Sequence, residues 1–244
     1  MLLAIDSSTY IASLALWQDG VVAEVTWHTK ENHTAELLPN VQSMLDRSRT
    51  SLANVTGIVV AKGPGSFNGI RIGLSTAKGL ALALNLPLVA ISSLEVEAFA
   101  LRHVERPVCP IHGAGREEVA AALFQTTGGQ LQRVTEEHIT TIELLCREVP
   151  ADTVFCGELT PALVCELEER RGQAALVTGA GALRRAGYLA ELGWRRISAG
   201  DFDDIRSLQA LYLRRPPITV AKPKLVKPFY ERENKDVAQK HPGA

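Results

Sequence analysis

The chain has 244 residues, 46% hydrophobic, 22% charged and 5% aromatic, with a formal net charge of −1. That length can bury one large core or two lobes. The near-neutral balance excludes a global electrostatic pull toward nucleic acid or membrane, and so few aromatics leave little to build a stacking platform for single strands. The balance hides an asymmetry: from Arg214 onward eight Lys and Arg face three acidic residues, as in a solvated basic tail.

The first predicted element is a buried strand at Leu2-Leu3-Ala4-Ile5, a continuous apolar run ending in the turn-forming Asp6-Ser7-Ser8-Thr9. Apolar segments resume over Ile11–Trp17 and Val21–Trp27 around Asp19-Gly20, a hairpin signal that completes a three-stranded meander. A helix is expected over Thr34–Arg47, with Leu37, Leu38, Val41, Met44 and Leu45 on one stripe and Pro39 in its first turn. A strand at Gly57–Ala61 leads through Gly63-Pro64-Gly65-Ser66 into a helix over Ile70–Leu84, which stops before Pro87. Leu88–Ile91 is again a strand.

The second half repeats this order loosely. Val108–Ile111 is a strand, and Gly113-Ala114-Gly115 takes the place of the first turn. Strands at Val119–Phe124 and Leu131–Ile139 flank Gly128-Gly129, which reads as the counterpart of the first hairpin. Helix (Thr141–Glu148), strand (Thr153–Cys156) and helix (Pro161–Arg171) follow. The expected organisation is two α/β lobes, at residues 1–104 and 105–219, and a disordered basic tail at 220–244.

Cys109, Cys146, Cys156 and Cys165 form no Cys-x-x-Cys pair and no zinc spacing, so they read as small core residues of a cytoplasmic protein. Met1 opens directly into a strand, so no N-terminal signal is expected. The most apolar helix carries Arg71 and Lys78 and does not suit a membrane span. His28 and His33 bracket a loop and share no helical face, which makes His33 a surface or a helix-entry residue.

Three features could carry function. The Gly63–Ser66 loop, with Asp6, Ser7 and Ser8, has the makings of a vestigial nucleotide site, since glycines and helix-start amides suit an anion. It lacks the Gly-Lys-Ser/Thr ending of a Walker loop and the spacing of Gly-x-Gly-x-x-Gly, so a tight structural turn fits as well. Gly69, Gly73 and Ala77 recur every fourth residue and make a smooth helix face, suited to packing on the sheet or to docking a partner. Asp6 could hold a metal or polarise water, but the matching second turn offers no carboxylate, and a turn role suffices. No catalytic constellation can be assembled, and no metal site.

The segments Leu3-Ala4-Ile5-Asp6-Ser7-Ser8-Thr9, His33-Thr34-Ala35-Glu36-Leu37-Leu38-Pro39, the run Lys62–Lys78 (KGPGSFNGIRIGLSTAK) and Ile91-Ser92-Ser93-Leu94-Glu95 together resemble the TsaB family, as does Leu208–Thr219. The resemblance is densest over residues 2–95. It implies an α/β fold of two ribonuclease-H-like lobes, of the actin, Hsp70 and sugar-kinase type, with mixed sheets flanked by helices. It also implies a non-catalytic scaffold that pairs with its paralogue TsaD, which transfers a threonylcarbamoyl group to a tRNA adenosine beside the anticodon. The small ATPase TsaE joins them, and the chain forms a homodimer when alone. The metal-binding histidine pair of TsaD is missing from the family and from this chain.

The expected docking surface is Leu37, Leu38, Val41, Gly69, Arg71, Ile72, Gly73, Ser75, Thr76 and Ala77. No cofactor is expected beyond a nucleotide at the partner interface, and tRNA would be met only through the complex. Where the family tends to have Asp and Tyr, this chain has Gly113 and Ala120. The alternatives are an ATP-dependent phosphotransferase or ATPase of the sugar-kinase kind, using Asp6 and the glycine loop, and a tRNA-binding module using the tail.

Overall fold

The computed structural model describes residues 1–29, 32–172 and 175–214. The tail expected from residue 220 lies outside them.

The first sheet is built from β1 (Leu2–Asp6), β2 (Ile11–Trp17), β3 (Val21–His28), β4 (Gly57–Ala61) and β5 (Leu88–Ile91), in the order β3-β2-β1-β4-β5. The meander β1–β2–β3 is antiparallel, and β4 and β5 add parallel to β1. Alternation explains the unbroken apolar run of β1. Leu3 and Ile5 face α1 (His33–Arg47) and α2 (Phe67–Leu84), while Leu2 and Ala4 face α6 (Ala186–Ser198). Leu189 of α6 is fully buried there, a contribution of about 1.5–3 kcal/mol. Gly193 lets that helix lie directly on Val59.

The second sheet runs β10-β7-β6-β11-β12, from β6 (Val108–Gly115), β7 (Glu118–Ala121), β10 (His138–Thr141), β11 (Val154–Gly157) and β12 (Ala175–Leu176). Its order and directions repeat the first sheet: β6–β7–β10 antiparallel, β11 and β12 parallel. This is the ribonuclease-H-like plan twice over, the two-lobed α/β fold of the actin, Hsp70 and sugar-kinase type. One face packs on α4 (Ile142–Glu148) and α5 (Pro161–Arg171), and the other on α3 (Ser93–Ala100). The lobes therefore exchange helices: α3, from the first half of the chain, covers the second sheet, and α6, from the second half, covers the first. Residues Met1–Arg214 form one unit.

Four sequence expectations change. The runs Val119–Phe124 and Leu131–Ile139 each break in two, giving the hairpin β8 (Phe124–Thr127) and β9 (Gln130–Arg133). Its Gly128-Gly129 turn is an addition between β7 and β10 and not the counterpart of Asp19-Gly20; an apolar run does not reveal the bend at Leu123, which the Thr135 hydroxyl holds at 2.9 Å. Pro39 sits inside α1 rather than in its first turn, because the helix starts at His33. Next to it the Asn40 side chain donates to Glu36 O at 2.9 Å. Of the two roles open to His33 the structure gives helix entry, as the first residue of α1, and buries it to 3% exposure. Of the cysteines, Cys109 and Cys156 are core residues, but Cys146 is half-buried and Cys165 exposed.

After α6 the chain returns as a strap over β5 and α2. Asp203 N donates to Leu88 O at 2.9 Å and its carboxylate accepts from Ala90 N at 2.8 Å, closing the free edge of β5. Lys78 Nζ then donates to Leu208 O, Leu211 N to Lys62 O, and Arg71 Nε to the Tyr212 hydroxyl.

Candidate functional site at the junction of the sheets and on the outer helices

Asp6, Ser7 and Ser8 are buried at the end of β1. Asp6 Oδ1 accepts from the Ser8 amide at 3.0 Å and the Ser8 hydroxyl at 2.5 Å, the turn that a short acid makes with its own backbone. The β4–α2 loop closes on this turn: Ser66 N donates to Ser8 O at 2.6 Å and Ser7 Oγ to Gly69 O at 2.9 Å. Gly65 lies so close to Ser8 O that no side chain fits at its position. Ser66 Oγ accepts from Gly69 N, capping α2. Gly63 is pressed between Ile70 and Leu211 O. The glycine loop thus turns its close-approach surface on its own chain, the tight structural turn that its spacing allowed.

On the other side of Asp6 lies a cluster that the sequence reading did not assemble. Arg184, just before α6, places Nη1 3.4 Å from Asp6 Oδ2 and 2.5 Å from Ser8 Oγ, and Nη2 2.9 Å from Glu97 Oε1. His112 of β6 has Nε2 2.9 Å from Glu97 Oε2 and 3.1 Å from Arg184 Nη2, with Nδ1 3.1 Å from Pro64 O. Ser93 Oγ donates to Ser8 Oγ at 2.9 Å. Asp6, Glu97, His112 and Arg184 are all buried.

Burial works against the Glu97 carboxylate, but His112 and Arg184 outweigh it and hold its pKa below the ordinary value. Burial likewise opposes the Arg184 charge, and Asp6 and Glu97 more than compensate. Chemically the arrangement sets one guanidinium between two carboxylates, with the His112 ring against Glu97. Among the described residues no group of His, Cys, Asp and Glu is placed to hold a metal.

The one clue to this cluster in the sequence is a Glu within the apolar stretch of α3, between Val96 and Ala98. Arg184 carries no such signal. Ala120 pairs with His112 across β6–β7, so the small side chain at the position where the family tends to have Tyr lies beside the His112 ring. A side chain at Gly113 would meet nothing.

The expected docking residues divide. Leu37, Val41, Gly69, Gly73 and Ala77 face inward; Gly69 and Gly73 press on Ser7, so the small-residue face is an intramolecular seat and not a docking face. Arg71 and Ser75 are exposed, Ile72 and Thr76 half-buried, and Leu38 is 53% exposed. Leu82, 63% exposed on α2, joins them without having been foreseen. Arg71 is held over the Phe67 ring, 3.8 Å from its centroid, and against Tyr212. No helix among the described residues is long and apolar enough to cross a membrane.

The doubled sheet and the glycine turn define a class, and comparison agrees: residues 9–161 match the family model described as TsaD, tRNA N6-adenosine threonylcarbamoyltransferase. A Bacillus subtilis (strain 168) protein described as tRNA threonylcarbamoyladenosine biosynthesis protein TsaB is 35% identical over 219 residues, 87% of this chain and 93% of the relative. The Escherichia coli (strain K12) protein of the same description is 44% identical over 93 residues, 38% of this chain and 40% of the relative. A Pseudomonas aeruginosa structure, described as an uncharacterized protein with similarity to peptidase YeaZ, superposes with a TM-score of 0.76 at 27% identity, covering 87% of this chain and 99% of that one. The chain belongs to the TsaB family.

Proposed function

We propose that this chain is a non-catalytic subunit in tRNA threonylcarbamoyladenosine biosynthesis, one that binds and activates TsaD through the outer face of α1 and α2. Family membership brings the pathway, and the match to the TsaD model brings the paralogous partner. The observation that carries the non-catalytic reading is the junction between the sheets. There both acidic groups are engaged by Arg184, and the glycine loop is spent on Ser8.

The docking surface reduces to Leu38, Arg71, Ile72, Ser75 and Thr76, with Leu82 added. Leu38 and Leu82 are large apolar side chains exposed on this stripe, and are better covered than left in water. In the absence of TsaD the same stripe would pair two copies of the chain, and TsaE would join the heterodimer.

The test is reconstitution of tRNA modification with the cognate TsaD and TsaE, using wild-type chain and Leu38→Arg or Ser75→Arg. These positions are exposed, so the variants fold. Loss of complex and of stimulation supports the reading. Full activity of TsaD without this chain would overturn it.

A further inference from the structure

We propose that Asp6, Arg184, Glu97 and His112 form an interlobe latch, which fixes the second sheet against the Asp6–Thr9 turn and, through that turn, holds the first turn of α2. The four residues come from four separate segments: the end of β1, the approach to α6, α3 and β6. Pro64 of the β4–α2 loop is a fifth point of attachment, through its carbonyl on His112 Nδ1. Only α3 and β6 follow one another in the chain, and the cluster brings all five segments to one point.

The exchanged helices α3 and α6 give the two lobes apolar contact, but such contact is not directional. The planar Arg184 fork is directional: Nη1 is committed to Asp6 and Ser8, and Nη2 to Glu97. Both His112 ring nitrogens face oxygen acceptors, Glu97 Oε2 and Pro64 O. The members of such a buried set depend on one another, since removing one partner leaves the others out of water without their contacts.

The path onward to α2 is short. Ser8 Oγ is shared between Asp6, Arg184 and Ser93, while the same residue's carbonyl receives Ser66 N. Its neighbour Ser7 holds Gly69 O. A displaced Asp6–Thr9 turn therefore takes with it both the residue that caps α2 and the third residue of that helix. The latch is a property of the single chain and is independent of whether α1 and α2 bind TsaD.

Hydrogen–deuterium exchange of the full-length chain, read by mass spectrometry, tests it with wild type, Arg184→Met and Glu97→Gln. Arg184→Met removes the fork; Glu97→Gln keeps the shape and removes one charge, and carries the test alone if Arg184→Met does not fold. The expected result is exchange about tenfold faster or more in peptides covering 62–72 and 108–114, far from residue 184 in sequence, with β2 and α1 as protected as in wild type. Unchanged exchange in those peptides overturns the latch, as does acceleration confined to the substituted segment or spread evenly over the chain.

Discussion

Gly73 of α2 lies so close to Ser7 that a Cβ on it would overlap the Ser7 hydroxyl, and the Cβ of Gly69, one turn earlier, would overlap the Ser7 carbonyl oxygen. The two collisions differ in kind. A hydroxyl can rotate away at the loss of its bond to Gly69 O, about 1 kcal/mol, and alanine returns a comparable amount as helix propensity. A backbone carbonyl held in a buried turn has no such escape. Gly69→Ala is expected to lose about 2–3 kcal/mol in urea denaturation and Gly73→Ala less than about 1. Equal losses at the two sites would contradict this account of the seat. Gly73→Arg, by contrast, would disrupt the fold itself and says nothing of docking.

Two groups set an acid profile of opposite chemical origin but the same sign. Burial holds His33 below its ordinary 6.5, with Glu36 and Asp6 only partly opposing. The unfolded chain then takes up the proton first, so stability is full above pH 6.5 and falls as pH drops below it. Glu97, held below its ordinary 4.5, contributes stability that is full above that value and lost as pH falls through the lower, folded one. Glu95, whose carboxyl burial raises, works in the opposite sense over the carboxylate range, so the Glu97 component is isolated by difference. Denaturation midpoints followed from pH 7.5 to well below 4.5 are expected to decline in two stages. His33→Asn should abolish the upper stage and Glu97→Gln should blunt the lower; an unchanged upper stage in His33→Asn would refute its assignment.

Much of the fold could be read in advance because its signals are local. The apolar run at Leu2–Ile5, the Asp19-Gly20 hairpin and the Gly63–Ser66 turn each dictate backbone form within a few residues. What could not be read depends on residues far apart in sequence. Spacing alone makes Gly69, Gly73 and Ala77 a smooth stripe, but whether a sheet or a partner fills it depends on where β1 lies. Arg184 lies 178 residues from Asp6, in a segment without periodicity, and neither residue signals the other. Helix α6 was missed for a similar reason: its small residues Ala186, Gly187, Ala190 and Gly193 suit a close seat on the first sheet but weaken the apolar pattern.

The strap after α6 should matter more than its irregular backbone suggests. Asp203 holds the Ala90 amide at 2.8 Å and Arg196 Nη1 at 3.2 Å, so its loss frees an edge-strand donor and removes one of the contacts of Arg196, which keeps Asp201. Asp203→Ala is expected to cost about 1.5–3 kcal/mol, the range for a hydrogen bond to a charged group. Asp203→Asn, which can still accept at Ala90, should recover about half. Exchange protection of the Ala90 amide reads the same contact directly. If both variants match wild type in stability and protection, the strap does not support β5.

Thiol chemistry separates core from surface in a single assay. Burial pushes the Cys109 thiol up to about 12, with Cys146 adding to it, and raises the Cys156 thiol well above its ordinary value, with Glu97 contributing. Neither forms thiolate at pH 8, and both are sealed between β6 and β11 and their helices. Cys165 is exposed on α5. Reaction of the native chain with an aromatic disulfide at pH 8 should therefore give a fast phase at Cys165, a slower one at half-buried Cys146, and no reaction at Cys109 or Cys156 until denaturant is added. Cys165→Ser should remove the fast phase without altering stability by more than about 0.5 kcal/mol, as expected for an exposed position. Labelling of Cys109 or Cys156 in the fast phase, mapped by mass, would mean that the second sheet opens far more readily than its packing implies.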